Sequence, residues 1–155
     1  MRDFFELTAR LTGRQTARLV LREATPADGW ALFDATRNPD FNRLLVWPRP
    51  DRAEHAVQRM EAICLAQSMG RMSAISACHK ETGAWVALFR FQPYGPDPDI
   101  TEMGLWMHPE HWHSSFGKEL TRACMGVAFS IHEVHTILGA TLPENLGAIK
   151  VLTSC

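Results

Sequence analysis

The sequence predicts an α/β domain in which a single sheet carries helices packed around it. Three observations lead there. Runs of strand length alternate with longer segments of helical spacing, one pair of runs is joined by a glycine-containing turn, and 155 residues are enough for one core. There is no internal repeat and no low-complexity segment.

Phe4, Leu7 and Leu11 recur at helical spacing with Gly13 behind them, which predicts a short leading helix. Residues 17 to 23, ARLVLRE, alternate as a strand does. They meet Thr25-Pro26-Ala27-Asp28, where a capping threonine precedes a proline suited to a first helical turn. That helix carries Trp30 and Phe33 on one face and stops before Asn38-Pro39, because proline disfavours a helical conformation in the residue before it. A loop through Trp47-Pro48-Arg49-Pro50 follows. Asp51 and Glu54 resemble a capping box for a second helix, with Ala53, Val57, Met60 and Cys64 at helical spacing and Gly70 as the stop.

Met72 to Cys78 and Ala84 to Phe91, joined by Lys80-Glu81-Thr82-Gly83, read as an antiparallel hairpin, and the apolar run AWVALFRF as a central strand. After the loop YGPDPD, Ile100 to Met107 is a strand interrupted by Gly104, a mark of a bulge or of close backbone approach. Phe116, Leu120, Ala123, Val127 and Ile131 line one face of a long helix; a strand over 135–142 and a helix from about Asn145 complete the order βααβββαβα.

Sixteen basic against 17 acidic residues argue against a protein built to coat nucleic acid or an anionic membrane. Cys64, Cys78, Cys124 and Cys155 are far apart and form no C-x-x-C pair, so neither a zinc ribbon nor a disulfide framework is expected. The N-terminus, MRDFFELTAR, reads as neither a signal peptide nor a membrane span, and a cytoplasmic location is expected.

The stretch HWHSSFGKEL, His111 to Leu120, falls where a strand hands over to the long helix. One reading is a metal cluster of His108, His111 and His113, joined by His132 and His135, although these lack a fixed ligand spacing. The other is an anion-binding loop, because the first amides of a helix lack intrahelical partners and lie at the positive end of its dipole.

The sequence resembles the GNAT acyltransferases, and among them the branch that acetylates N-terminal amines of ribosomal proteins. Three stretches carry the resemblance: TARLVLREATPAD, ITEMGLWMHPEHWHSSFGKEL and LPENLGAIKVL. The middle one is the most specific, with Glu102, Gly104, Trp106, His108, Pro109, Trp112 and Glu119 on family positions. The resemblance spans Ala17 to Leu152, so residues 16–155 are read as the acetyltransferase domain and 1–15 as an N-terminal extension. It implies the GNAT fold, a central mixed, twisted sheet flanked by helices, with acetyl-CoA as cosubstrate. It also implies that Leu105, Trp106 and Met107 pair with the pantetheine arm like an added strand, and that His113, Ser114, Ser115, Phe116, Gly117 and Lys118 hold the pyrophosphate. Asn145 corresponds to the family asparagine that contacts the cofactor arm, and it also suits a helix N-cap.

Acetyl transfer to an amine needs a base, a donor for the developing oxyanion and a proton for the departing thiolate. Glu102 is the candidate base, at a position where the family often has a carboxylate; its plainer reading is a strand glutamate in a salt bridge or facing solvent. The oxyanion donor is expected to be the amide of Leu105 or Trp106. The last helix lacks the tyrosine that many relatives use as the acid, Tyr94 being the only tyrosine, so the acid is unassigned. Trp30, Trp47 and Trp85 are assigned to core or cleft packing.

Three departures from the family stand out. His113 and Ser115 replace glycines, Ala148 replaces a serine, and the chain stops at Thr153-Ser154-Cys155 where relatives continue into two more strands. The expected fold therefore lacks those two strands, leaving an edge open to fraying or to a homodimer partner. The reading is an N-acetyltransferase acting on a primary amine, a peptide N-terminus ahead of a small molecule such as an antibiotic or polyamine. The alternative is a degenerate, non-catalytic domain serving binding or oligomerisation.

Overall fold

The computed structural model describes residues 4–45, 47–95, 97–131 and 134–155, without the side chains of Pro98 and Asp99. Five strands form one sheet in the order β1 (Leu19–Glu23), β2 (Ser73–His79), β3 (Trp85–Tyr94), β4 (Asp97–Met107), β5 (Thr136–Gly139). The first three junctions are antiparallel and β4–β5 is parallel, so the sheet is mixed and open, as expected. Helices α1 (Phe4–Leu11) and α5 (Phe116–Phe129) contribute to the core on one face; α2 (Asp28–Ala35), α3 (Pro39–Arg43) and α4 (Ala53–Ser68) contribute to the other. The last helix, α6 (Leu146–Thr153), packs beside α5.

Helix α1 is part of this core: Phe4, Leu7 and Leu11 are buried in it, and Thr8 donates to Ser73 Oγ at 2.9 Å. The hairpin β2–β3 turns at Gly83, whose φ of +70° suits a residue without a Cβ. Strand β3 is central, with Val86, Ala87, Leu88, Phe89 and Phe91 buried. Asp28 ties this end together, accepting from both terminal nitrogens of Arg22 on β1, from Thr25 N–H and from Ser76 Oγ on β2. Burial alone would raise its carboxyl pKa, but those bonds outweigh it and hold the group below the usual aspartate value.

Four local expectations need correcting. The buried face of α2 is Leu32 and Ala35, with Trp30 exposed; that of α4 is Ala56, Met60, Ile63 and Gln67. The cause is Gly29, where an added Cβ would lie 2.5 Å from Val57 Cα, so the two helices touch through backbone and that contact sets both faces. Thr25 does not cap α2 with its side chain, and neither Asp51 nor any other side chain caps α4. Asn38-Pro39, expected only to stop a helix, also starts one: Asn38 Oδ1 accepts from Asp40 and Phe41 N–H, and Pro39 opens α3. Finally, β3 and β4 extend into the segment read as the loop YGPDPD, and their pairing slips between Pro93 and Tyr94, with no bulge at Gly104.

Candidate functional site

Strand β5 pairs with β4 only from Ile100 to Met103. Beyond that point Gly104 to Met107 pair with β3 on one side and with no strand on the other, among the described residues. The sheet is thus split at the C-terminal end of β4, leaving a line of main-chain groups able to accept an extended ligand as an extra strand. The opening comes from the shortness of β5, not from a bulge.

Gly104 serves close approach instead. It lies opposite Arg90, and a Cβ on it would stand 3.0 Å from an Arg90 guanidinium nitrogen. Glu102, half-buried on β4, accepts from Gln92 Nε2 at 2.9 Å and has Arg90 as its electrostatic neighbour without forming an ion pair to it.

From β4 the chain passes through a 3₁₀ turn at Pro109–His111 and reaches α5 through His113, Ser114 and Ser115. His113 and Ser115 have φ of 60° and 65°, the left-handed region that glycine adopts most readily. The backbone keeps the glycine conformation after losing the glycines, at roughly 1–2 kcal/mol per residue. Ser115 makes no side-chain cap on α5. The loop is held from outside: Arg18 Nη1 donates to the Ser114 carbonyl at 2.9 Å while its Nε bonds Glu119 Oε2 at 2.8 Å. Glu119 also accepts from Thr16 Oγ1 and Arg18 N–H; burial would raise its pKa, and these bonds reverse that and lower it. The Arg18 guanidinium lies 4.1 Å over the Phe116 ring, which also meets the edges of His79 and His111. Burial, then the proximity of the His108 ring, lowers the His111 pKa and favours its neutral form.

Gly117 is buried in the first turn of α5. A Cβ there would meet Val151 at 3.2 Å and Met107 at 3.3 Å, so β4, α5 and α6 converge on it. Lys118 is half-buried on the same turn. Asn145 caps α6, its Oδ1 accepting from Ala148 N–H at 3.0 Å, which leaves the side-chain amide nitrogen for another partner.

Among the described residues no group of three His, Cys, Asp or Glu side chains is placed to hold a metal ion. His108 is buried, with Nε2 3.2 Å from Asp34 Oδ2 and Nδ1 accepting from Glu110 N–H. His132 lies outside the described residues. The described helices include none long and apolar enough to cross a membrane.

Spacing did not reveal a run of stacked groups on the α4 face of the sheet. Arg59 lies 4.0 Å over Trp47, Trp47 is 5.1 Å from Trp106, and Arg90 lies 4.4 Å over Trp106. Its members come from α4, the loop before it, β4 and β3. Trp85 packs against the second core cluster, its indole donating to Ser76 Oγ at 3.1 Å.

A sheet split beside one strand, with a left-handed turn into a helix next to the split, offers main-chain groups to an extended ligand and helix-start amides to an anion. The chain belongs to the acetyltransferase (GNAT) domain family, whose model matches residues 18–155. It is 21% identical over 138 residues to the uncharacterized N-acetyltransferase YoaA of Bacillus subtilis, covering 89% of this chain and 78% of YoaA. The fold is shared with the ribosomal-protein-S5-alanine acetyltransferase of Vibrio fischeri (TM-score 0.74, 14% identity, 91% of this chain and 80% of that one). It is also shared with the microcin C7 self-immunity acetyltransferase MccE, solved with acetyl-CoA and AMP (TM-score 0.78, 10% identity, 90% and 78%). Family membership supports acetyl-CoA-dependent acetyltransferase activity in general.

Proposed function

We propose that this chain acetylates a primary amine from acetyl-CoA, with a peptide N-terminus as acceptor ahead of a small-molecule amine. The observation that carries the proposal is the departure of β5 from β4 after Met103, which leaves Gly104 to Met107 unpaired on one side, among the described residues, beside the turn into α5. Likeness in fold to an S5-alanine acetyltransferase favours the peptide N-terminus.

When bound, acetyl-CoA supplies an acetyl group activated as a thioester. The main chain of Leu105, Trp106 and Met107 takes the pantetheine arm as an added strand. His113, Ser114, Ser115, Phe116, Gly117 and Lys118 take the pyrophosphate on their amides, with the Lys118 ammonium and the Ser115 hydroxyl as further donors. Asn145 offers its amide nitrogen to the arm. The amide of Leu105 or Trp106 faces the oxyanion as it develops. Glu102 accepts the amine proton: Gln92 occupies one carboxylate oxygen and leaves the other for the amine or an intervening water. Residues 16–155 carry the acetyltransferase motifs, and the extension 1–15 packs into the same core through α1. Strand β5, an edge among the described residues, suits self-association into a homodimer.

Calorimetric titration with acetyl-CoA tests the first half, and Glu102→Gln the second. The variant should retain cofactor affinity, lose about 100-fold in kcat and lose the acid limb of its pH–rate profile. An unchanged profile removes Glu102 from the mechanism. The rival, a non-catalytic domain, draws on an α6 with neither tyrosine nor the expected serine; absence of both heat and turnover would establish it.

A further inference from the structure

The stacked run Arg59–Trp47–Trp106–Arg90 has a charge problem. It places two guanidinium groups against two indoles, and among the described residues neither guanidinium takes part in an ion pair or hydrogen bond. Burial lowers the pKa of both, Glu102 being the one carboxylate that offsets this at Arg90. The Trp47 indole Nε1 is also buried without an acceptor. Guanidinium groups at half-buried positions and a buried indole N–H, all left unbonded, are donors awaiting acceptor oxygens. The run also ends where transfer is placed: Trp106 lies in the unpaired segment of β4, and Arg90 reaches over Gly104 because that residue lacks a Cβ. At the other end Arg49 and Arg59 line a recess of about 190 Å³ beside Trp47, whose Asp51 is already engaged by His55 at 3.2 Å.

We infer that the acceptor is an amine that also carries a carboxylate, read by Arg90 and Arg59 across the Trp106–Trp47 pair. The inference rests on the amine-acetyltransferase reading above and names its substrate class. A planar carboxylate matches the guanidinium fork and leaves an oxygen for an indole N–H, whereas an ammonium-rich acceptor would meet like charge there. Two sources supply this chemistry: an acidic side chain close to a peptide N-terminus, or the α-carboxylate of a free amino acid.

The test compares, with acetyl-CoA, peptides beginning Ala-Glu-Asp and Ala-Gln-Asn, free glutamate and its diamide, and spermidine. We expect kcat/KM for the acidic peptide to exceed that for the amide peptide about tenfold or more, with Arg90→Gln and Arg59→Gln each narrowing that ratio toward one. A high rate for free glutamate over its diamide assigns a free amino acid as the source and equally supports the inference. Equal rates for acid and amide forms, a preference that survives both variants, or faster acetylation of spermidine would overturn it. If no acceptor is acetylated, the transfer reading fails, and calorimetry with the same peptides still decides: tighter binding of the acidic peptide, lost in Arg59→Gln, upholds the carboxylate site, and equal binding rejects it.

Discussion

The two ends of the sheet are built to different standards. At the β1–β3 end, β3 is buried from Val86 to Phe89 and again at Phe91, and Asp28, the first residue of α2, binds a strand, a neighbouring strand and the turn before its own helix at once. At the β4–β5 end, β5 is a four-residue strand with three exposed residues, and none of α6 is fully buried. The rigid end supports the loops; the sparse end leaves the gap in which a ligand can act as a strand. A sheet zipped to its last residue would be more stable and would have no site there.

Amide exchange breaks or sharpens this comparison most directly. Thr136 to Gly139 should exchange on the order of a thousandfold faster than Leu88 and Phe89, a gap of about 4 kcal/mol in opening free energy. Equal protection would mean that the two ends form one cooperative unit.

Asp28→Asn should then cost about 3 kcal/mol in urea denaturation at pH 7, since it leaves Arg22 without its counter-charge. The folded carboxyl has the lower pKa, so its contribution is fully present above the unfolded value of about 3.9 and is lost as pH falls through the folded one. The difference between wild type and variant should therefore shrink in strong acid.

Arg18→Met frees the Ser114 carbonyl and should weaken CoA binding about tenfold, roughly 1.4 kcal/mol, while leaving protection of the hairpin unchanged. Smallest is Ser115→Gly, which relieves a left-handed residue: stability should rise by about 1 kcal/mol and CoA binding should tighten or stay level. A large loss of affinity would make the serine hydroxyl the principal contact.

The rigid end was largely legible in the sequence because its signals are local. The hairpin turn at Gly83 and the apolar run of β3 each lie within a few residues. The faces of α2 and α4 were not, since a backbone contact at Gly29 fixes them and hydrophobic spacing does not register a contact made by a missing side chain. Asn38-Pro39 carried the right signal with two meanings, stop and start. At the candidate site, the departure from glycine at His113 and Ser115 was visible, but the retained left-handed backbone was not. Arg59, Trp47, Trp106 and Arg90 come from segments that only the folded sheet and α4 bring together, and no motif links them.

The paired indoles have an optical consequence. Rings 5.1 Å apart and inclined at 44° couple their electronic transitions, so Trp47 and Trp106 should give a circular-dichroism couplet that neither Trp47→Phe nor Trp106→Phe retains. Their emission should also respond to the guanidinium groups lying over them. The indole pair is thereby a chromophore of its own, and any spectroscopically silent ligand that settles against it should be legible in the protein's own light.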